Sequence, residues 1–353
     1  MKTFFRICLA LVLGVGLLGA CASAASKGKK KSEGGSVFFI GNSYTYVNDL
    51  PAVVDAMLNA GAKGKPKAAY KVDSYTRGAA SLTEFLDSPG DAPCREKLEK
   101  GGFRWVVLQD QSQTPSEIPQ MTMRGGHGWA EIAKKGGAKP VLFITWEHAI
   151  KSSDGKFVST PRMQDKLSTT YCELAMEIGA KVAPAGEAWR MWREEFPDAT
   201  LYSGDGSHPN PLGTYLAGCV FYATLTGQSP VGLPNKVARI QVPAKEAKEC
   251  QRIAWKVVKN FKPDTFLQEL KAQDAARPAL ADVRPMLAPG VTVKALVERL
   301  GKPATTYKSG PQTFRHFLLR EGVQVQVICG EDGSPEYAMI MPEHAMTEMV
   351  KLK

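Results

Sequence analysis

Two short segments, far apart in the chain, carry side chains that could do chemistry together. One is Phe39-Ile40-Gly41-Asn42-Ser43-Tyr44-Thr45; the other is Asp205-Gly206-Ser207-His208-Pro209. The first is an apolar run ending in Gly-Asn-Ser, which suits a serine nucleophile at the carboxyl end of a first strand, where ligands sit in open α/β sheets. The second supplies a base and a group to orient it. A serine hydroxyl attacks poorly unless an imidazole accepts its proton, and the imidazole needs a partner on its other nitrogen. Asp205 and His208, three residues apart in a Gly-Ser turn, can both point inward. Pro209 biases His208 towards extended backbone, presenting the ring at the turn instead of winding it into the next helix.

The elements that must place these groups follow from hydrophobic periodicity. From residue 36 to 262 short β-rich runs alternate with longer helical ones, the signature of a three-layer α/β/α domain with a mostly parallel sheet. The strand candidates are 37–40, 69–72, 105–108 and 141–145, with a short last one at 181–183. Three are almost wholly apolar, as parallel strands covered on both faces should be. Helical spacing covers 50–62, 82–98, 127–135 and 161–178. After His208, Asn210 can cap a helix with Pro211 in its first turn, running to Thr226.

In that order and context the motifs resemble the SGNH, or GDSL-type, hydrolase superfamily over most of 36–232. They are Gly41-Asn42-Ser43 after the first strand, Gly78 in Arg77-Gly78-Ala79 after the second, Leu108-Gln109-Asp110-Gln111-Ser112 after the third, and Asp205-Gly206-Ser207-His208 before the last helix. The resemblance implies a flavodoxin-like sheet, no cofactor and no metal. It makes Ser43 the nucleophile, His208 the general base and acid, and Asp205 the group fixing the imidazole tautomer. It also implies an oxyanion hole built from the backbone N–H groups of Ser43 and Gly78 and a side-chain amide, here Gln111. Two positions depart from the superfamily's commonest pattern: Asn42 stands where Asp usually precedes the serine, and Gln111 where Asn is usual. Gln109 and Gln113 are rival amide donors. Asn42 and Trp146 are candidate substrate-binding residues, Trp146 as a stacking wall for a sugar. His127, His148, His316 and His344 have no matching partner motifs and are assigned structural or surface roles.

The amino terminus sets the compartment. Met1-Lys2 with Arg6, an uncharged stretch to Ala20 and then Cys21-Ala22-Ser23 read as a secretory signal over 1–20. Leu18-Gly19-Ala20-Cys21 resembles a bacterial lipobox, which implies lipidation at Cys21 and a membrane anchor; the alternative is plain cleavage in the following Ala-Ser-Ala-Ala, leaving a soluble periplasmic or secreted protein. Residues 21–35 read as a flexible tether. Six basic residues against one acidic residue before position 36 carry half of the net charge of +10, so the basic balance favours an anionic membrane surface over nucleic acid. Cys94, Cys172, Cys219, Cys250 and Cys329 show neither Cys-x-x-Cys nor zinc-type spacing; Cys219 reads as a small buried apolar residue.

Residues 263–285 are charged and contain Pro263, Pro278 and Pro285, and read as a link or brace to a second, small α+β domain over 286–353. There a Thr292-capped helix ends in Gly301-Lys302-Pro303, and strands follow at 314–319, 323–328 and 337–341. This part is similar to small outer-membrane-assembly lipoproteins of the SmpA/OmlA fold, which implies contact with an envelope protein and no catalytic group. The expectation is therefore an exported, envelope-bound serine esterase removing small acyl groups from a glycan or other acylated small molecule. The competing expectation is a catalytically weak glycan-binding scaffold.

Overall fold

The computed structural model describes residues 35–65, 69–343 and 345–353. The signal, Cys21, most of the tether and His344 lie outside them. Five parallel strands form the main sheet: β1 Gly35–Gly41, β2 Tyr70–Thr76, β3 Trp105–Leu108, β4 Lys139–Phe143 and β5 Lys181–Ala183, in the order 2-1-3-4-5. The order reverses between β1 and β3, which pair from Val37 with Trp105 to Ile40 with Leu108. In an open α/β sheet the crevice beyond the carboxyl ends at that point is the natural place for a ligand.

The three central strands are largely apolar because both faces are covered, while the edge strands Tyr70–Thr76 and Lys181–Ala183 are partly exposed. Val37 and Phe39 enter one core with Trp105, Val107, Val141 and Phe143. Phe38 and Ile40 enter the other with Val106, Leu108 and Leu142. The first core is roofed by helices Leu50–Ala60, Ala185–Glu195, Pro211–Thr226 and Ala244–Asn260; the second by Leu82–Asp87, Ala92–Glu99, Pro119–Lys135 and Met163–Ile178. The helical pattern read over 82–98 is two helices, because Pro89-Gly90 breaks it with a 3-10 turn at Pro89–Asp91. The helix expected from residue 127 starts eight residues earlier, with Pro119 in its first turn. The five described cysteines are unpaired and buried.

Pro263–Ala275 is a helix whose Phe266 and Leu267 pack on the second core. A five-stranded antiparallel meander follows the capped helix Val293–Leu300, in which Thr292 accepts from Ala295 N. Its strands are β6 Thr305–Ser309, β7 Gln312–Leu318, β8 Gln324–Cys329, β9 Pro335–Met341 and β10 Glu348–Lys351. Phe317, Val325, Val327, Ala338 and Ile340 face Leu296 in a third core. The two outer strands had no clear signal: Thr305–Ser309 and Glu348–Lys351 are mostly exposed, so neither alternates.

Pro211–Thr226 begins under tight constraint. A Cβ on Gly213 would lie 2.5 Å from the Trp189 ring and 2.6 Å from the Leu201 carbonyl oxygen. We expect Gly213→Ala to destabilise the protein by about 1–3 kcal/mol through overpacking against backbone, read as a lower urea midpoint at unchanged slope.

Candidate active site

Ser43 is the first residue of a one-turn helix, Ser43–Tyr46, that starts as soon as β1 ends. Asn42 caps it: its Oδ1 accepts from Tyr44 N at 3.1 Å, and its carbonyl accepts from Thr45 N and Tyr46 N. Ser43 N is thus one of the helix's unspent first-turn donors.

The Asn42 side chain is 2% exposed. Its Nδ2 donates to Ala80 O at 3.0 Å and Asp110 O at 3.3 Å, and its Oδ1 also accepts from Gln109 Nε2 at 3.0 Å. Gln109 Oε1 returns the pairing by accepting from Asn42 N at 2.9 Å and from Thr45 Oγ1 at 2.8 Å. The expectation that Asn42 binds substrate is therefore corrected: its polar atoms are spent tying together the ends of β1 and β3 and the turn after β2. Gln109 is likewise consumed and is no rival donor.

The histidine arrives on the loop between Leu201 and Asn210. Its Nε2 lies 2.9 Å from Ser43 Oγ, and its Nδ1 lies 2.6 Å from Asp205 Oδ2. Asp205 Oδ1 accepts from Ser207 N and His208 N, both at 2.9 Å. Partial burial pushes the Asp205 carboxyl up, but the bonds from the His208 ring and these two N–H groups outweigh it and hold the group below its ordinary value. Ser203 N donates to His208 O at 2.8 Å, and Tyr202 and Pro209 form a β-bridge, so the loop closes on itself beside the imidazole.

An aromatic column supports that loop. Tyr44 stacks on Trp146 at 4.9 Å and 9°, Trp146 on Trp189 at 3.8 Å and 3°, and Trp189 meets Tyr202 edge-on at 5.0 Å. Tyr44 meets His208 edge-on at 5.7 Å, and its hydroxyl shares a 2.7 Å bond with Ser207 Oγ. Trp146 Nε1 donates to Ser207 O at 2.9 Å. Trp146 is fully buried, which corrects the expectation of a sugar-stacking wall: it is core that positions the loop, since a strand-end tryptophan inside a complete column has no free face.

The remaining candidates are Gly78 and Gln111. Gly78 is exposed on the turn after β2, whose preceding residue, Arg77, donates from its N to Gly41 O at 3.2 Å. Gln111 Oε1 accepts from Gln113 N at 2.7 Å and Thr114 N at 3.0 Å, capping the helical turn Thr114–Glu117. That orients the amide and leaves its Nε2 without a hydrogen-bond partner among the described residues. Asp110 is buried and accepts from Leu82 N, Gln111 N and Thr122 Oγ1; burial raises its carboxyl above the ordinary value despite the Thr122 bond.

One neighbour was missed in the sequence. His148 Nε2 lies 3.1 Å from Ser112 Oγ and its ring 6.4 Å from that of Tyr44. Burial lowers its pKa, with Asp205 opposing, which favours the neutral ring. Its signal was position alone, just past β4 at the carboxyl edge of the sheet. His127, by contrast, makes a surface pair with Glu177 at 2.7 Å.

The fold also has solved counterparts. A DUF4886 family protein from Bacteroides uniformis is similar at 16% identity and a TM-score of 0.50, over 64% of this chain and 95% of that one. A protein of Slackia heliotrinireducens described as a candidate SGNH hydrolase is 26% identical at a TM-score of 0.45, over 54% and 99%. An acetylxylan esterase from Geobacillus stearothermophilus is 15% identical at 0.40, over 56% and 96%. No family model matches the chain, and no curated protein does.

The Asn42 network can be tested directly. Asn42→Asp would set a buried carboxylate against the carbonyls of Ala80 and Asp110. We expect a loss of about 2–4 kcal/mol at neutral pH. The introduced carboxyl would have a raised folded pKa, so the loss should shrink as pH falls and the group is protonated, which urea unfolding at two pH values would show.

Proposed function

We propose that this protein is a serine ester hydrolase of the SGNH/GDSL type, acting on small acyl groups, acetyl above all, carried by a carbohydrate. The observation that carries the reading is the relay itself: Ser43 Oγ 2.9 Å from His208 Nε2, and His208 Nδ1 2.6 Å from Asp205 Oδ2. With Asp205 ionised and bonded to Nδ1, the ring proton is held there, and Nε2 is left as the acceptor facing the serine.

His208 takes the Ser43 proton as Oγ bonds to the acyl carbonyl carbon, and the carbonyl oxygen gains the negative charge. That oxygen is met by Ser43 N–H, Gly78 N–H and the free Gln111 amide. His208 then returns its proton to the leaving alcohol as the C–O bond breaks. Water, deprotonated by the same imidazole, releases the acid and restores Ser43. The aromatic column under the loop keeps the relay at this geometry.

We further propose that it works in the bacterial envelope, exported by residues 1–20 and anchored at Cys21, on the sequence pattern there. An anchored enzyme would meet glycan at the membrane surface.

Protein lacking residues 1–35 should turn over p-nitrophenyl acetate, and Ser43→Ala or His208→Ala should each lower kcat by about 10⁴-fold or more while remaining folded. Equal rates in wild type and variants would overturn the hydrolase reading. Gln111→Ala should cost about 10²–10³-fold in kcat with little change in KM, as loss of one oxyanion donor does.

A further inference from the structure

The C-terminal meander is joined to the hydrolase through the hairpin that follows His148. Its strands, Ala149–Lys151 and Phe157–Ser159, pair antiparallel. At its root Ala149 N donates to Gly206 O at 2.7 Å, in the loop that carries His208. At its tip Ser153 N donates to Lys308 O at 2.9 Å and Lys308 N donates to Ser152 Oγ at 3.1 Å. Thr305 Oγ1 also donates to Ser159 O at 2.8 Å. A single short hairpin thus bonds to the catalytic loop at one end and to strand β6 at the other.

Between the hairpin and the meander lies a cavity of about 440 Å³, bounded by His148, Gln113 and Met163 on the hydrolase side and by His316, Gln324 and Met341 from the meander. That volume falls within the roughly 300–1,000 Å³ range of small-molecule sites. It begins at His148, whose ring is one aromatic neighbour away from His208 through Tyr44.

The lining mixes polar and apolar groups, and its charged members are Glu117 and Lys166. His316 and Gln324 sit on the face of the meander opposite its core, where Gln324 pairs with Met341 and His316 with Gln326. Gln326 Nε2 donates to His316 Nε2 at 2.8 Å, so the ring proton is on Nδ1, and that buried donor has no partner among the described residues. Burial pushes the His316 pKa down to about 4, keeping the ring neutral. The side-chain amide of Gln324 has no hydrogen-bond partner among the described residues, while Lys166 at the rim is paired with Glu343 at 3.0 Å. Neutral amides and imidazoles beside two methionines are donors, acceptors and soft apolar surface together, the mixture that a sugar ring, with hydroxyls on its rim and C–H groups on its faces, can satisfy.

We propose that this cavity is a glycosyl subsite of the same active site: the meander supplies the far wall, and Gln324 and Met341 hold a neutral sugar residue next to the one whose ester is cleaved. The inference rests on the glycan-esterase reading above and adds a binding role for a domain whose sequence suggested only partner contact.

The test compares acetylated xylo-oligosaccharide with p-nitrophenyl acetate in the wild type, Gln324→Ala and the cavity-filling Met341→Trp, each checked for folding by thermal unfolding. The ratio of kcat/KM on the oligosaccharide to that on the small ester should fall about tenfold or more in both variants, the scale of one lost hydrogen bond or one blocked contact, and the fall should appear in KM. Gln324 is only half-buried and keeps the test open if the tryptophan variant does not fold. A ratio within about twofold of wild type, with the oligosaccharide still cleaved, would overturn the subsite and leave the esterase standing. Turnover of the small ester with none of any acetylated oligosaccharide would overturn the glycan reading and the subsite with it.

Discussion

A reciprocal amide pair holds this site together. Asn42 and Gln109 each give and accept a bond with the other, at 2.9 and 3.0 Å, across the ends of β1 and β3. Asn42 adds a donor to Ala80 O and a cap to the Ser43 helix, and Gln109 adds an acceptor for Thr45. Three segments far apart in sequence are thereby fixed within a hydrogen-bond length of each other. They leave the sheet where its strand order reverses, so the crevice there would otherwise be loose ends. Buried and satisfied, the network is worth more than the sum of its bonds because each unmade bond would strand a polar group away from water.

The histidine side of the site is fixed by different physics. Its loop rests on the column from Tyr44 through Trp146 and Trp189 to Tyr202, a large buried aromatic surface whose polar edges are used: Trp146 Nε1 holds Ser207 O, and the Tyr202 hydroxyl donates to Glu147 O at 2.9 Å. Behind it Arg193 pairs with the nearly buried Glu147 at 2.7 Å. Such a pair costs desolvation and adds little stability of its own; its bond to Tyr202 at 2.9 Å shows what it does here, which is to seat the end of the column. One side of the relay is thus set by amide geometry and the other by packing, and the 2.9 Å contact between Ser43 and His208 is where they meet.

The meander enters the same arrangement through the hairpin after His148. Because that hairpin bonds both to Gly206 and to Lys308, the C-terminal strands and the loop that carries His208 share a scaffold, and the described residues from 35 onward form part of one compact unit.

Much of this was legible in the sequence. Short β-rich runs marked the five strands of the main sheet, most plainly the central ones, since parallel strands covered on both faces leave a one-dimensional signature, and Asn210-Pro211 marked the start of the last helix of the resemblance. Ser43, His208 and Asp205 were readable because each sits in a turn whose neighbours, Gly41, Gly206 and Pro209, are local constraints. The helices at Ala185–Glu195 and Ala244–Asn260 and the outer strands of the meander passed unmarked. What tertiary structure alone decided was how each polar or aromatic side chain is spent. Asn42, Gln109 and Gln111 are all amides near one serine; only the partners brought from other strands consume the first two and leave the third with a free donor. Trp146 lies beside the site in either reading, but Trp189 and Tyr44, distant in sequence, cover both of its faces. His148 carried no motif because its setting is made by Ser112 and Tyr44, distant in the chain, through contacts that no local pattern records.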